Sequence, residues 1–326
     1  MKLFPFLLLA PSVLAASLTA CGSPAASSSS APPSSAPSSA AQGYTFTDDL
    51  GRTVTVERPE RVAAPLGRVS DGWGRAGGGL GGGQDTLAAA AHDAWTSFDL
   101  GLSETVADLG AVKEPNLEVL LAAQPDFILA SCNTTADLEL ESTFENAGIP
   151  TAYFDIQSFD DYLNMLKICT GLTGCPENYE TYGLQVQEQV EAAKARQDGS
   201  APTVLTIRAT GSSCKVKGSQ DFLLGEMLSD LGCVNVADSN ASLLEELSLE
   251  AILAADPDYI FVVLQGSDAT DAQETLEKTL LSNPAWGGLR AVQEGRFHTL
   301  EHSLYNLKPN ARWGEAYEKL ADILYP

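Results

Sequence analysis

The chain is 326 residues long and carries 43 Asp and Glu against 19 Lys and Arg, a formal net charge of −24. Its 44% hydrophobic content is enough to bury a core, which excludes wholesale disorder, and its acidity excludes a general nucleic-acid binder, because phosphate binding needs concentrated Lys and Arg. Only three His are present, so a His-rich metal site is not expected, and no internal apolar run approaches the roughly 20 residues of a membrane span.

Lys2 is the only charge before Asp48, and an uncharged run, LFPFLLLAPSVLAASLTA, leads to Cys21. A basic start, an apolar segment and small residues before a cleavage point describe an export signal over residues 1–20. The string Leu18-Thr19-Ala20-Cys21 is similar to the lipobox of bacterial lipoproteins, which implies lipidation of Cys21 and an anchor at a membrane surface. The alternative is an uncleaved anchor or an ordinary signal with a chance Cys, although Pro5 and Pro11 weaken a stable membrane helix. Residues 22–42 contain only Gly, Ser, Pro, Ala and Gln, so 21–42 reads as a flexible tether with a reach on the order of 25 Å.

The folded part reads as two lobes, 43–174 and 200–326, with a polar, Gln/Glu-rich helix near Glu177–Gln197 joining them within 175–199. In the first lobe a hairpin is expected at Tyr44–Thr47 and Thr53–Val56, with Asp48-Asp49-Leu50-Gly51 between. Strands are expected near Val62–Ala64, Asp126–Ala130 and Thr151–Phe154, and helices near Ala136–Ala147 and Phe159–Leu172. Residues 67–83, GRVSDGWGRAGGGLGGG, hold nine Gly in seventeen positions. Formal GxGxxG matches there are what such density produces, and no helix is expected to start in the tract. In the second lobe, strands are expected near Thr203–Ile207, Tyr259–Val263 and Phe297–Leu300. Helices are expected near Phe222–Leu231, Asp271–Leu281 and Asn310–Leu324.

Two segments repeat. Asn116–Ala130, NLEVLLAAQPDFILA, and Ser248–Val262, SLEAILAADPDYIFV, share eight of fifteen positions. In each, a polar residue can cap a helix, an apolar stripe follows at helical spacing, a Pro stops the helix and a short apolar run reads as a buried parallel strand. A helix–strand unit recurring at domain-sized spacing argues for two similar α/β lobes.

With TDDLGRTVTVERPERVAA at 47–64, the paired NLE…PDFI and SLE…PDYI units, AGIPTAYFD at 147–155 and LSNPAW at 281–286, the chain resembles the solute-binding lipoproteins of ATP-driven (ABC) importers for iron complexes, haem and cobalamin. The resemblance covers roughly 44–326. It implies an α/β fold of two Rossmann-like lobes joined by one long helix, the class III periplasmic-binding-protein arrangement, with ligand held between the lobes. It also implies delivery to a permease, no catalysis, and no cofactor beyond iron carried within the ligand. Glu118 and Glu250, at matching repeat positions, are implied to dock onto permease arginines; a first-turn Glu also stabilises its own helix dipole. The family usually has an apolar helix where the Gly tract stands, and a compensated reading-frame disruption is one account of that departure. The implied partners are the permease, a ferric siderophore or related chelate and, through the lipid anchor, the extracytoplasmic face of the cell membrane, with the protein a monomer. Haem or cobalamin is the alternative ligand. A lipid-anchored α/β enzyme or a metal-ion binder stands lower, since no nucleophile elbow, HExxH or Walker motif is present.

Two basic windows free of acid interrupt the second lobe: 199–220, with Arg208, Lys215 and Lys217, and 302–314, with Lys308 and Arg312. Arg208 follows a predicted strand at the cleft, where an Arg fork suits a carboxylate or other oxyanion. Trp286, Tyr305, Trp313 and Trp95 offer flat contacts to a planar ligand, or else belong to the core. His92, Asn133 and Ser131 are further first-lobe candidates. His298 and His302 fall in a strand and a loop and need not share a face. Beyond Cys21 the Cys residues are 132, 169, 175, 214 and 233. Cys214–Cys233 or Cys169–Cys175 bridges are open possibilities, with buried free thiols as the alternative.

Overall fold

The computed structural model describes residues 43–77, 83–220, 222–266 and 269–326, so the expected export signal, Cys21 and the tether lie outside the described residues. Strands β1 (Tyr44–Thr47) and β2 (Thr53–Val56) pair antiparallel as the hairpin pattern requires. Gly51 makes the turn at φ +79°, where a side chain is disfavoured, and the Asp48 carboxylate accepts the Arg52 backbone N–H at 2.9 Å.

The first sheet contains β3 (Val62–Ala64), β4 (Leu87–Ala90), β5 (Ala107–Asp108), β6 (Phe127–Ser131) and β7 (Thr151–Phe154). All its pairings are parallel and its spatial order is β5-β4-β3-β6-β7. The order therefore reverses between β3 and β6, which opens a crevice beyond their carboxyl ends. The second sheet holds β8 (Thr203–Thr210), β9 (Cys214–Lys217), β10 (Val234–Asn235), β11 (Tyr259–Gln265) and β12 (Phe297–Leu300). Its order is β10-β8-β11-β12, with β9 antiparallel on β8, so it reverses at β8 and β11. Strand β4 carries no β-branched residue, and its Ala-rich pattern gives no strand signal; the buried slot beside β3 makes it one.

The repeated unit has the same construction twice. Asn116 and Ser248 cap the helices Leu117–Ala122 and Leu249–Ala255 by accepting the N–H groups of Val119 (3.1 Å) and Ala251 (3.2 Å). Gln124 and Asp256 then take left-handed φ values of +50° and +38° before the Pro. The Asp after each Pro ties its strand to a neighbour. Asp126 accepts the N–H groups of Glu60 and Arg61, and Asp258 accepts the N–H and hydroxyl of Thr203 at 2.9 and 2.6 Å.

The glycine tract departs from expectation, since Gly67–Gly77 is an α-helix. Its Val69, Trp73 and Ala76 face the core, and Trp73, 1% exposed, donates its indole N–H to Thr86 Oγ1 at 2.9 Å. Tertiary burial outweighs poor propensity here. The glycines also permit close packing, because a Cβ on Gly72 would lie 2.2 Å from Met165 of the Phe159–Thr173 helix. That helix begins with a Ser158–Asp161 capping box.

The linking segment is helical from Glu177 to Lys194, with a π-helical turn at Glu180–Leu184. Tyr162 donates its hydroxyl to the Tyr182 carbonyl within that turn at 2.9 Å. The helix expected over Ala136–Ala147 is instead two short ones, Thr135–Glu139 and Glu141–Asn146, broken at Leu140. Cys132, Cys169, Cys175, Cys214 and Cys233 are all free thiols, so neither bridge is formed. Among the described residues, no helix is long and apolar enough to cross a membrane.

Candidate ligand cleft

The carboxyl edge of the first sheet presents Arg68, Ser131, Asn133 and Asp155. Arg68 stands in the first turn of the Gly67–Gly77 helix, directly after β3, and Ser131 ends β6, so the two flank the reversal of strand order. Arg68 Nη2 lies 3.4 Å from Ser131 Oγ, and its buried Nε has no hydrogen-bond partner. Burial pushes the guanidinium below its ordinary pKa, while Asp155, Asp93 and Asp137 support its charge. Asn133 is exposed at the rim and donates Nδ2 to Asp155 Oδ1, which also accepts Gln157 Nε2 at 2.9 Å. The half-buried Cys132 thiol is pushed up to about 11 by burial and the nearby carboxylates of Asp49, Asp155 and Asp48, so it stays protonated.

From the second lobe come Arg208 and Lys308. Arg208, half-buried in β8, lies opposite Lys215 of β9, so both side chains share one face of the sheet. On that same face, four residues earlier, Val204 packs in the core that holds Leu304 and Tyr305. Arg208 and the loop bearing Lys308 therefore lie on one side of the sheet. The Arg208 Nε is buried with no hydrogen-bond partner. Burial first, and the Arg68 charge second, push the Lys308 ammonium down, against support from Glu226, Asp155 and Asp161. Lys308 therefore lies within electrostatic reach of Arg68 and Asp155 of the first lobe. Among the described residues, Arg68, Arg208 and Lys308 make no salt bridge, whereas Arg52, Arg75, Arg196, Arg290, Arg296 and Arg312 all do.

Other sequence candidates are placed elsewhere. Arg312 is not a free cation: it grips Glu315 at 2.7 Å and Glu301 at 3.1 Å, carboxylates just outside the acid-free window, and it holds Glu315 down at about 2. Trp286, 4% exposed, packs edge-on to Phe297 at 5.8 Å inside the second-lobe core, so it offers the cleft no face. Tyr305 is 1% exposed and spends its hydroxyl on the Ala316 carbonyl at 3.0 Å, and Trp313 is likewise core. His92 is exposed beyond β4 with its Nδ1 2.7 Å from Asp108 Oδ2, and Trp95 is half-buried in the short helix that follows. Lys217 sits 6.0 Å from the Phe222 ring. His298 stacks on Phe261 within β12, while His302 bonds Asn306, so the two do not converge. Among the described residues no group of three or more His, Cys, Asp or Glu is placed to hold a metal.

Glu118 and Glu250 are both exposed in the first turns of the two repeat helices. The Asn116 N–H bonds the Leu109 carbonyl just past β5, so Glu118 lies at the carboxyl edge of its sheet. Arg68 escaped the sequence reading because the glycine tract concealed its helix; its place directly after the first core strand was the available signal.

Residues 79–304 match the family described as periplasmic binding protein, and the chain belongs to that family. It is 25% identical over 214 residues to the iron-uptake system-binding protein of Bacillus subtilis, covering 65% of this chain and 64% of that one. The chain thus spans just under two thirds of that relative's length. It is 24% identical over 280 residues to the ferric-anguibactin-binding protein FatB of Vibrio anguillarum, covering 80% of this chain and 83% of FatB. The fold is similar to the TroA-like periplasmic binding protein FepB of Veillonella parvula, with a TM-score of 0.68 and 19% identity over 86% of this chain and 90% of that one.

Proposed function

We propose that this chain is the extracytoplasmic, lipid-anchored binding component of an ABC importer, and that it captures an anionic ferric chelate of the siderophore class between its lobes. The carrying observation is the gathering of cations that form no salt bridge among the described residues. Arg68 and Lys308 are within electrostatic reach of each other, Asn310 two residues past Lys308 bonds the Arg68 carbonyl, Arg208 lies beside Lys215, and the Arg68 and Arg208 Nε atoms are buried without partners among the described residues. Like charges so placed repel, and orphaned buried donors cost free energy, so the arrangement suits an oxyanion-bearing ligand. The names of the relatives from Bacillus subtilis and Vibrio anguillarum, both iron or ferric-chelate binders, support iron as the cargo. No bond is made or broken; the ligand is held and handed on. Glu118 and Glu250 carry the permease docking, and Cys21 carries the anchor.

The test is titration of the purified mature chain with ferric citrate, ferric siderophores of catecholate and hydroxamate type, haem and cobalamin, followed by Trp fluorescence. Saturable binding of an anionic ferric chelate is expected. Arg68→Ala, Arg208→Ala and Lys308→Ala each weaken it about tenfold or more, and Arg312→Ala leaves it unchanged. Tight binding of haem or cobalamin alone would overturn the choice of ligand. Glu118→Gln with Glu250→Gln should abolish uptake in cells while sparing binding in vitro, and lost binding would refute the docking role.

A further inference from the structure

Two residues past Lys308, Asn310 crosses from the second lobe into the first. It is 0% exposed and holds a left-handed φ of +51°, a conformation Asn tolerates better than most residues. Its Nδ2 donates to the Arg68 carbonyl and to Asp71 Oδ2, both at 2.8 Å, while its Oδ1 has no partner. Two acceptors on one side and none on the other fix which end of the amide is nitrogen. Asp71 is itself buried, and its other oxygen accepts Arg75 Nε at 3.2 Å. The Arg75 guanidinium stands 5.5 Å over the ring of Tyr182, inside the π-helical turn of the linking helix. A continuous set of contacts thus runs from the two cleft cations to the segment that joins the lobes.

We propose that Asn310 is a positioning residue, a clasp that sets the spacing of Arg68 and Lys308 by holding the lobes in register. The inference rests on the cleft reading above. Its side chain grips the backbone of one cation, and its own backbone carries the other only two residues away. Separating the lobes breaks both bonds together and strips a buried carboxylate of a donor, so the clasp favours the closed register. Repulsion between Arg68 and Lys308 opposes it. An anion between them removes that repulsion and leaves the clasp unopposed, so ligand occupancy and lobe closure are coupled through a two-state element.

The decisive variants are Asn310→Asp, which sets a carboxylate against Asp71, and Asn310→Gly, which keeps the positive φ without strain and deletes the amide. The pair Asn310→Asp with Asp71→Asn restores the bond between positions 310 and 71 in reversed sense, while the Arg68 carbonyl stays without its donor. Small-angle scattering of the ligand-free mature chain should show both single variants more open than wild type and the double variant partly returned. Stopped-flow release of ferric citrate should be roughly 10- to 100-fold faster in Asn310→Asp, and partly rescued in the double variant. Unchanged scattering in both single variants, or no recovery in the double variant, would overturn the clasp. If wild type binds no ferric citrate while the scattering behaves as expected, the clasp stands and the choice of chelate falls.

Discussion

Asp137 offers a quantitative test of the cleft floor. It is 0% exposed; Oδ2 accepts the Ser131 N–H at 2.8 Å, and Oδ1 has no partner. Burial lifts its pKa from 3.8 to about 7, against the opposing pull of the Ser131 amide and the Arg68 charge. Between those two pH values the folded chain keeps a proton that the unfolded chain has released. Its contribution therefore disfavours the folded state progressively as pH rises from about 4 to about 7, and is fully felt above that. The displacement corresponds to something on the order of 4 kcal/mol. Asp137→Asn keeps an acceptor for Ser131 but cannot ionise. Urea unfolding of both proteins at pH 4, 5, 6, 7 and 8 gives their stability difference, in which the other titrating groups cancel. That difference should swing toward the variant by a few kcal/mol between pH 4 and pH 8. Parallel pH profiles would refute the account of this carboxyl as buried and only half-satisfied.

Three further outcomes follow from packing and covalent state. Trp73→Ala removes an indole that is 1% exposed and bonded to Thr86, and should cost about 3–5 kcal/mol in chemical denaturation. Gly225→Ala would set a Cβ 2.1 Å from the Gly218 carbonyl oxygen, a backbone atom with little freedom to yield, so a loss of about 1–3 kcal/mol or more should appear as a lowered Tm. Since all five described Cys are free, reducing agent should leave the Tm of the freshly purified chain unchanged; a fall on reduction would show a disulfide.

Local pattern was enough wherever one element reports its own state. The hairpin, β3, β7 and β12 occupy their expected ranges because alternation, turn residues and short apolar runs are all local signals. The repeat was equally legible, since capping residue, apolar stripe, Pro and Asp recur in order and each does the same work in both copies. The cleft was legible only in part. Arg208 and Lys308 stand in acid-free windows and make no salt bridge among the described residues, but Arg312 stood in the same kind of window and is gripped by Glu301 and Glu315. Linear spacing says nothing of which carboxylates a loop brings back. Trp286 and Tyr305 were indistinguishable by type from ligand-facing aromatics until their burial was known.

The sequence by itself determined that the chain has two α/β halves built from one repeated unit, and which family they belong to, because periodicity and motif order are written along the chain. Only the tertiary structure decided that a glycine-dense tract becomes a core helix, since that depends on the Phe159–Thr173 helix packing against it, with Met165 beside Gly72. It alone threaded Asn310 between the lobes to bond Arg68 and Asp71, contacts that join residues more than two hundred positions apart. Charge pairing and burial are properties of neighbours in space, and the chain order names those neighbours only where they are also neighbours in sequence.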